Sequence, residues 1–316
     1  MPVLINIVLP IFGIILAGYL CGRSKLLGAE STAGLNQYVY WVALPALLFG
    51  AMAEVDLDLI FDADFFGAYV GGQLIVMIIA MGVGVLFYKN TLEVSGINGM
   101  NSIYGNTGFL GIPLAFAAFG EAATVPTIIT VVVNSALVVA AAIIVVELAQ
   151  NREVQKSKVI YDVFKALCKN PMLISPALGL LWACLDEPLP EAVLRFCELL
   201  GSSAGPCALF AIGLFLVGKP VSDGISEVTA IVLLKLIVHP AITWFLAIWI
   251  FELPPLWAAV AVLMAATPTG AGCFVLAQQY QIHVHRTSTI ILFSTLFSVL
   301  SIFLLLQYYS SLLIQQ

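Results

Sequence analysis

Ten apolar runs follow one another along the chain, at about 3–21, 35–52, 65–88, 97–119, 125–149, 171–185, 193–217, 225–251, 256–280 and 288–313, with short polar connections between them. Each run is continuous, and most approach the roughly 20 residues that a helix needs to cross a bilayer, whereas barrel strands alternate over about 10. The pattern predicts an all-α membrane protein with ten transmembrane helices. The first run is too long for a removable signal peptide and lacks its small-residue cleavage site, which points to a retained helix. Two runs are interrupted. The fourth contains Gly105-Asn106-Thr107-Gly108-Phe109-Leu110-Gly111-Ile112-Pro113, and the ninth contains Thr267-Pro268-Thr269-Gly270-Ala271-Gly272. A broken helix at membrane depth is tolerated only where it is buried in protein or lines a polar cavity. The pair is therefore the main functional signal.

Composition sharpens the class. The chain is 61% hydrophobic and 9% charged, against about 25% charged for soluble domains. Basic residues are too few and scattered for a nucleic-acid footprint. The six cysteines show no CxxC spacing and read as lone buried thiols. If the side of the central polar stretch is "in", the inner loops hold Arg23, Lys25, Lys89, Arg152, Lys156, Lys158, Lys165, Lys169, Lys219 and Arg286, ten of the twelve basic residues. This split follows the positive-inside rule and supports the count of crossings. It predicts a cytoplasmic central loop, extracytoplasmic termini and a multi-pass cell (inner) membrane location.

The two halves repeat weakly. Leu9-Pro10-Ile11-Phe12-Gly13 matches Ser175-Pro176-Ala177-Leu178-Gly179, Pro45 with Leu48-Phe49 matches Pro206 with Leu209-Phe210, and Asn106-Thr107-Gly108 matches Pro268-Thr269-Gly270. With five crossings in each half, the second half enters from the opposite face. The expectation is two inverted five-helix repeats, 1–150 and 171–316, joined by a cytoplasmic linker at 151–170. Many secondary transporters are built this way, with the site at the repeat interface and made from discontinuous helices.

The candidate chemistry clusters at the interruptions. Asn106 or Thr107 can cap a half-helix whose exposed N–H groups and positive end suit an anion. At the ninth run Thr267 can cap, Pro268 suits a first helical position, and Gly270 permits close approach. The alternative for either break is a packing kink. Lys235 lies about ten residues into the eighth run, near mid-membrane, and His239 shares its face at i+4. Such a lysine needs a partner or a cavity. It compensates an anionic substrate, acts as a titratable switch, or caps carbonyls freed by a helix break. Asn134 is a lone polar group that reads as an interhelical hydrogen bonder, and Asn101 faces a cavity or a neighbouring helix. No acidic residue lies at a helix midpoint, which argues against a paired-carboxylate ion site. No HExxH, GxSxG or P-loop is present, so no enzyme is expected. His283 and His285 lack a third ligand, and neither a metal nor a cofactor is expected.

These residues resemble a known family. Gly105–Leu114 is similar to the fourth-helix motif of the auxin efflux carriers, which include bacterial permeases for small organic acids. Thr267-Pro268-Thr269-Gly270 with Phe274-Val275-Leu276-Ala277 and Tyr280 resembles the ninth-helix motif. Leu44-Pro45-Ala46-Leu47-Leu48-Phe49 and Ile212-Gly213-Leu214-Phe215 fit helices two and seven. The resemblance spans the chain. It implies broken crossing helices 4 and 9, in the manner of bile-acid carriers and sodium/proton antiporters. It further implies a scaffold of helices 1, 2, 6 and 7, a transport unit of helices 3–5 and 8–10, elevator-like motion, and a homodimer through helices 2 and 7. Asn106 falls on the Asn beside the first crossover, Asn134 on a polar support position, and Lys235 near a basic position. Gly105 and Cys273 stand where plant members carry proline, so auxin itself is not implied.

The expected function is secondary transport of a small organic anion, a carboxylate, with proton or sodium left open as the coupling ion. The expected substrate-binding residues are Asn101, Asn106, Thr107, Gly108, Pro113, Asn134, Lys235, His239, Thr267, Pro268, Thr269 and Gly270. The alternative is a membrane sensor that uses the same pocket without net transport.

Overall fold

The computed structural model describes residues 7–55, 57, 62–138, 161, 164–165, 167–185, 187–218 and 224–313. The end of the fifth predicted crossing and most of the 151–170 linker, with Arg152, Lys156 and Lys158, lie outside these residues, as does Lys219. The described secondary structure is helical: α1 (Leu9–Arg23), α2 (Ala29–Tyr38), α3 (Leu44–Ala53), α4 (Ala63–Tyr88), α5 (Leu92–Ile103), α6 (Ile112–Phe119), α7 (Thr124–Val133), α8 (Pro171–Ala183), α9 (Glu191–Leu216), α10 (Ile225–Leu233), α11 (His239–Phe245), α12 (Pro255–Ala266), α13 (Gly272–Tyr280) and α14 (Val284–Leu313). Among the described residues, four stretches are long and apolar enough to cross a membrane: Ala63–Tyr88, Glu191–Leu216, Ile225–Ile250 and Val284–Tyr309. Five shorter apolar helices accompany them.

Proline shapes several of these helices in the same way. Wide π-type turns at Val39–Ala43, Thr107–Gly111 and Leu234–Val238 each run into an α-helix whose second residue is proline: Pro45, Pro113 and Pro240. The proline ring has no N–H to donate and clashes with the carbonyl four residues back. The turn before it therefore widens, which is a common cause of local π geometry.

The chain divides into two compact units. The first comprises Met1–Asp62, Gly108–Val132 and Lys169–Gly218. Its core joins Val39, Leu44, Leu48, Ile112, Ile128 and Ala204. Helices approach closely where side chains are absent. Gly18 lies against the Phe210 carbonyl, Gly213 against the Ile15 carbonyl, and Gly179 against the Phe49 carbonyl. Lipid tails supply no hydrophobic drive between helices, so small residues that let backbones touch carry the packing.

The second unit comprises Ala63–Thr107, Val133–Cys168 and Lys219–Gln316. Its core joins α4, α5, α10, α13 and α14 through Val76, Met100, Ile103, Val228, Cys273 and Ile290. Two helices in it are buried on all sides, α5 from Ser95 to Ile103 and α12 from Ala258 to Ala266. An all-round buried helix belongs to the interior of a bundle. Both end where the chain is interrupted, so each interruption is delivered to the interior of this unit.

Candidate functional site

The interruptions after α5 and α12 satisfy each other. Gly105 and Thr269 form an antiparallel β-bridge. The Asn106 N–H donates to the Pro268 carbonyl at 2.8 Å, and the Gly270 N–H donates to the Tyr104 carbonyl at 3.0 Å. Backbone groups exposed by helix breaks are costly in a membrane unless paired, and these pair across the two segments. The approach requires glycine. A Cβ on Gly105 would strike the Thr267 hydroxyl, and one on Gly270 would come within 2.7 Å of the Tyr104 ring.

Side chains lock the junction. The Thr267 hydroxyl donates to the Met264 carbonyl at 2.7 Å. The Thr269 hydroxyl donates to the Asn101 carbonyl at 2.8 Å, and the Thr269 N–H donates to the Ser294 hydroxyl at 3.1 Å. Asn101 Nδ2 donates to the Thr287 hydroxyl at 3.1 Å, while its buried Oδ1 has no partner among the described residues. Asn134 Nδ2 donates to the Thr107 hydroxyl at 3.0 Å and toward the Gly105 carbonyl at 3.4 Å. Asn134 Oδ1 accepts from Gln73 Nε2 at 2.6 Å. Asn134 thus fixes the start of the half-helix Thr107–Phe119 from the side.

Lys235 is fully buried in the wide turn between α10 and α11. Its Nζ donates to the Ala265 carbonyl at 2.5 Å and lies 3.3 Å from His239 Nδ1. Ala265 is in the last turn of α12, where carbonyls lack intrahelical donors and the helix end is negative. Lys235 therefore caps α12 just before the break, which is one of the roles its position allowed. His239 Nε2 is buried without a partner among the described residues.

The structure brings Asn101, Asn106, Thr107, Asn134, Lys235, His239, Thr267, Pro268, Thr269 and Gly270 into the second unit. Gly108 and Pro113 belong to the first, where Gly108 borders Leu44 and Pro113 borders Gly205. Thr267 departs from its expected part. It is the residue that closes α12, not the cap of the following helix, and Pro268 lies between helices. The chain resumes helix only at Gly272, with Ala271 before it. The extended bridge at Thr269 needs these intervening residues and postpones the restart. The Asn106 side chain is half-buried and makes no hydrogen bond with a described residue, although its backbone is held.

Three residues that matter here were not singled out from sequence. Gln73 orients Asn134, and its signal was a lone amide in an apolar run. Tyr104 covers Gly270 and Gly272. Glu227, buried in the first turn of α10, pairs with Arg286 and accepts from Asn90 Nδ2 at 2.5 Å and Asn98 Nδ2 at 2.6 Å. Only the three-dimensional meeting of α5, α10 and α14 explains these partners.

Comparison with known proteins places the site in context. Residues 3–306 match the family described as membrane transport protein. A "Putative malonate transporter" from Rhizobium meliloti is 31% identical over 297 residues, covering 94% of this chain and 93% of that protein. "Auxin efflux carrier component 8" from Arabidopsis thaliana is 23% identical, covering 93% of this chain and 94% of that protein. "Lysosomal cholesterol signaling protein" from Mus musculus is 24% identical over 220 residues, covering 66% of this chain and 25% of that protein.

Proposed function

This chain belongs to the membrane transport protein family, the group that holds the auxin efflux carriers, and on that premise we propose that it is a secondary transporter for a small organic anion of the dicarboxylate type. The family is one of membrane transporters, which implies a multi-pass membrane protein and a small-molecule substrate. The observation that carries the anion reading is the paired interruption itself. It sets the N-terminal end of the half-helix at Thr107 beside an Asn106 amide that has no hydrogen bond to a described residue, in a unit that also buries the basic side chain of Lys235. Helix N-termini and amide donors are what a carboxylate needs. The malonate name of a relative that matches along nearly its whole length supports the dicarboxylate class.

In this reading the carboxylate accepts from the Thr107 N–H at the start of the half-helix and from the Asn106 amide. Asn134 and Gln73 hold that helix start in place, and Tyr104 closes over the second break. The ten helices form two inverted five-helix repeats, and helices 4 and 9 cross at the break. The inner loops carry the basic residues, the termini are extracytoplasmic, and two copies pair through helices 2 and 7. The transport unit of helices 3–5 and 8–10 moves as a body and opens the breaks to alternate sides in an elevator-like step.

A thermal-shift panel of small mono- and dicarboxylates tests the anion site. A ligand that binds only the folded protein raises apparent stability by mass action, by about 2.7 kcal/mol at one hundred times its Kd. Malonate or a close homologue should shift the melting temperature of the wild type and not of Asn106→Ala. A panel with no stabilising carboxylate refutes the site.

The second reading, a sensor without flux, draws on the likeness to a protein named for signalling. It predicts the same thermal shift and no counterflow in proteoliposomes.

A further inference from the structure

Lys235 and His239 are two basic side chains sharing a buried face, and neither has a carboxylate partner among the described residues. The other titratable group facing Lys235 is the Cys273 thiol, whose Sγ is 3.9 Å from the Met100 carbonyl. The titratable group facing His239 is Lys235. The glutamate at the start of α10 is already matched by Arg286 and two asparagines.

The hydrogen-bond geometry limits the protons this pair holds. Lys235 Nζ has two acceptors, the Ala265 carbonyl and His239 Nδ1. An amine supplies two N–H donors and an ammonium three, so both states fit the same two contacts. For His239 Nδ1 to accept, the ring must be neutral with its hydrogen on Nε2, the nitrogen left without a partner. Two positive charges 3.3 Å apart in a dry interior repel strongly. The pair therefore carries at most one net charge. Among the described residues a lone ammonium there has only a helix-end carbonyl and an imidazole nitrogen to offset it, and an unpaired charge at membrane depth is costly.

The carbonyl that Lys235 holds stands two residues before Thr267, whose hydroxyl faces Gly105 across the paired breaks. An anion bound at those breaks is the counter-charge the site lacks. We infer that the Lys235–His239 pair is the proton-coupling site of the carrier, taking up one proton as the anion binds and releasing it as the anion leaves. The proton adds to the Lys235 amine lone pair, the Nζ–H bonds to Ala265 and His239 persist, and no other bond is made or broken. By linkage the anion then strengthens proton binding by the same factor as the proton strengthens anion binding. The inference rests on the anion reading above and supplies its coupling ion.

Calorimetric titration of the purified protein with malonate, in buffers of different ionisation enthalpy, counts the protons exchanged. The pH is set where malonate itself is fully ionised. The wild type should take up about one proton per malonate bound, and its affinity should weaken by about tenfold per pH unit on the alkaline side. Lys235→Arg keeps a permanent charge at the same place, so it should bind malonate with no proton uptake and a flat pH profile. Binding by the wild type without proton uptake overturns the coupling and leaves the anion reading standing. Uptake that persists unchanged in Lys235→Arg also overturns it, because the proton then lands elsewhere. Failure of the wild type to bind malonate or any small carboxylate overturns the anion reading and the coupling together.

Discussion

At the scale of single residues, polar side chains in the second unit divide into those committed to the fold and those left over. Asn134 is committed on every side, to Gln73, Thr107 and the Gly105 carbonyl. Asn134→Ala would leave the Gln73 amide buried and unpaired, at about 1–3 kcal/mol for such a group, so it should lower both stability and substrate affinity in a thermal melt and a binding titration. Asn106 has no side-chain hydrogen bond to a described residue, so Asn106→Ala should melt close to the wild type and lose carboxylate affinity at least about tenfold, a transition of about 1.4 kcal/mol. An Asn106→Ala protein that binds normally would remove that residue from the site. The sequence singled out both asparagines but not this difference, because committed and free amides look alike until their neighbours are known. Lys235 is similar. Its depth was readable as a run of apolar neighbours, whereas the Ala265 carbonyl it caps is 30 residues away and appears only when α11 and α12 pack together.

At the scale of elements, the interruptions were legible because glycine, proline and asparagine are out of place in a membrane run. What was not legible is that they bridge each other through Gly105 and Thr269, since backbone pairing leaves no side-chain signature. The expected cap at Thr267 failed for the same reason: the extended pairing delays the helix restart to Gly272. Close approach makes this junction intolerant of added atoms. Gly105→Ala should destabilise strongly, whereas Gly82→Ala, where a Cβ meets no neighbour within 4 Å, should be neutral or stabilising by up to about 1 kcal/mol through helix propensity. Melting temperatures of the two variants compare them directly. A second element-level prediction concerns the turn before α14. Burial, and then the Arg286 guanidinium, push His283 below its ordinary value of 6.5, and Glu227 partly offsets them. The fold therefore prefers the neutral ring, and the unfolded chain takes the proton first. The stability that this histidine confers is present above about pH 6.5 and is lost as the pH falls through its folded value. The wild type should lose melting temperature more steeply than His283→Gln between about pH 7 and 5. Equal slopes would remove His283 as a source of acid sensitivity.

At the scale of the whole molecule, periodicity and length were enough to identify a helical membrane protein, and two motifs were enough to identify its family, which the match over residues 3–306 shows. The division into two compact units draws on segments far apart in sequence, so no local pattern announces its boundaries. The α7 helix passes from one unit to the other near Val132, and nothing in its apolar run marks the point. Between these units and a function stands one question, whether the paired breaks carry an anion across the bilayer. Counterflow of labelled malonate in proteoliposomes answers it. Saturable uptake that unlabelled malonate on the opposite side accelerates, and that Asn106→Ala abolishes, is the outcome expected of a carrier. Saturable malonate binding with no exchange across the membrane would contradict transport.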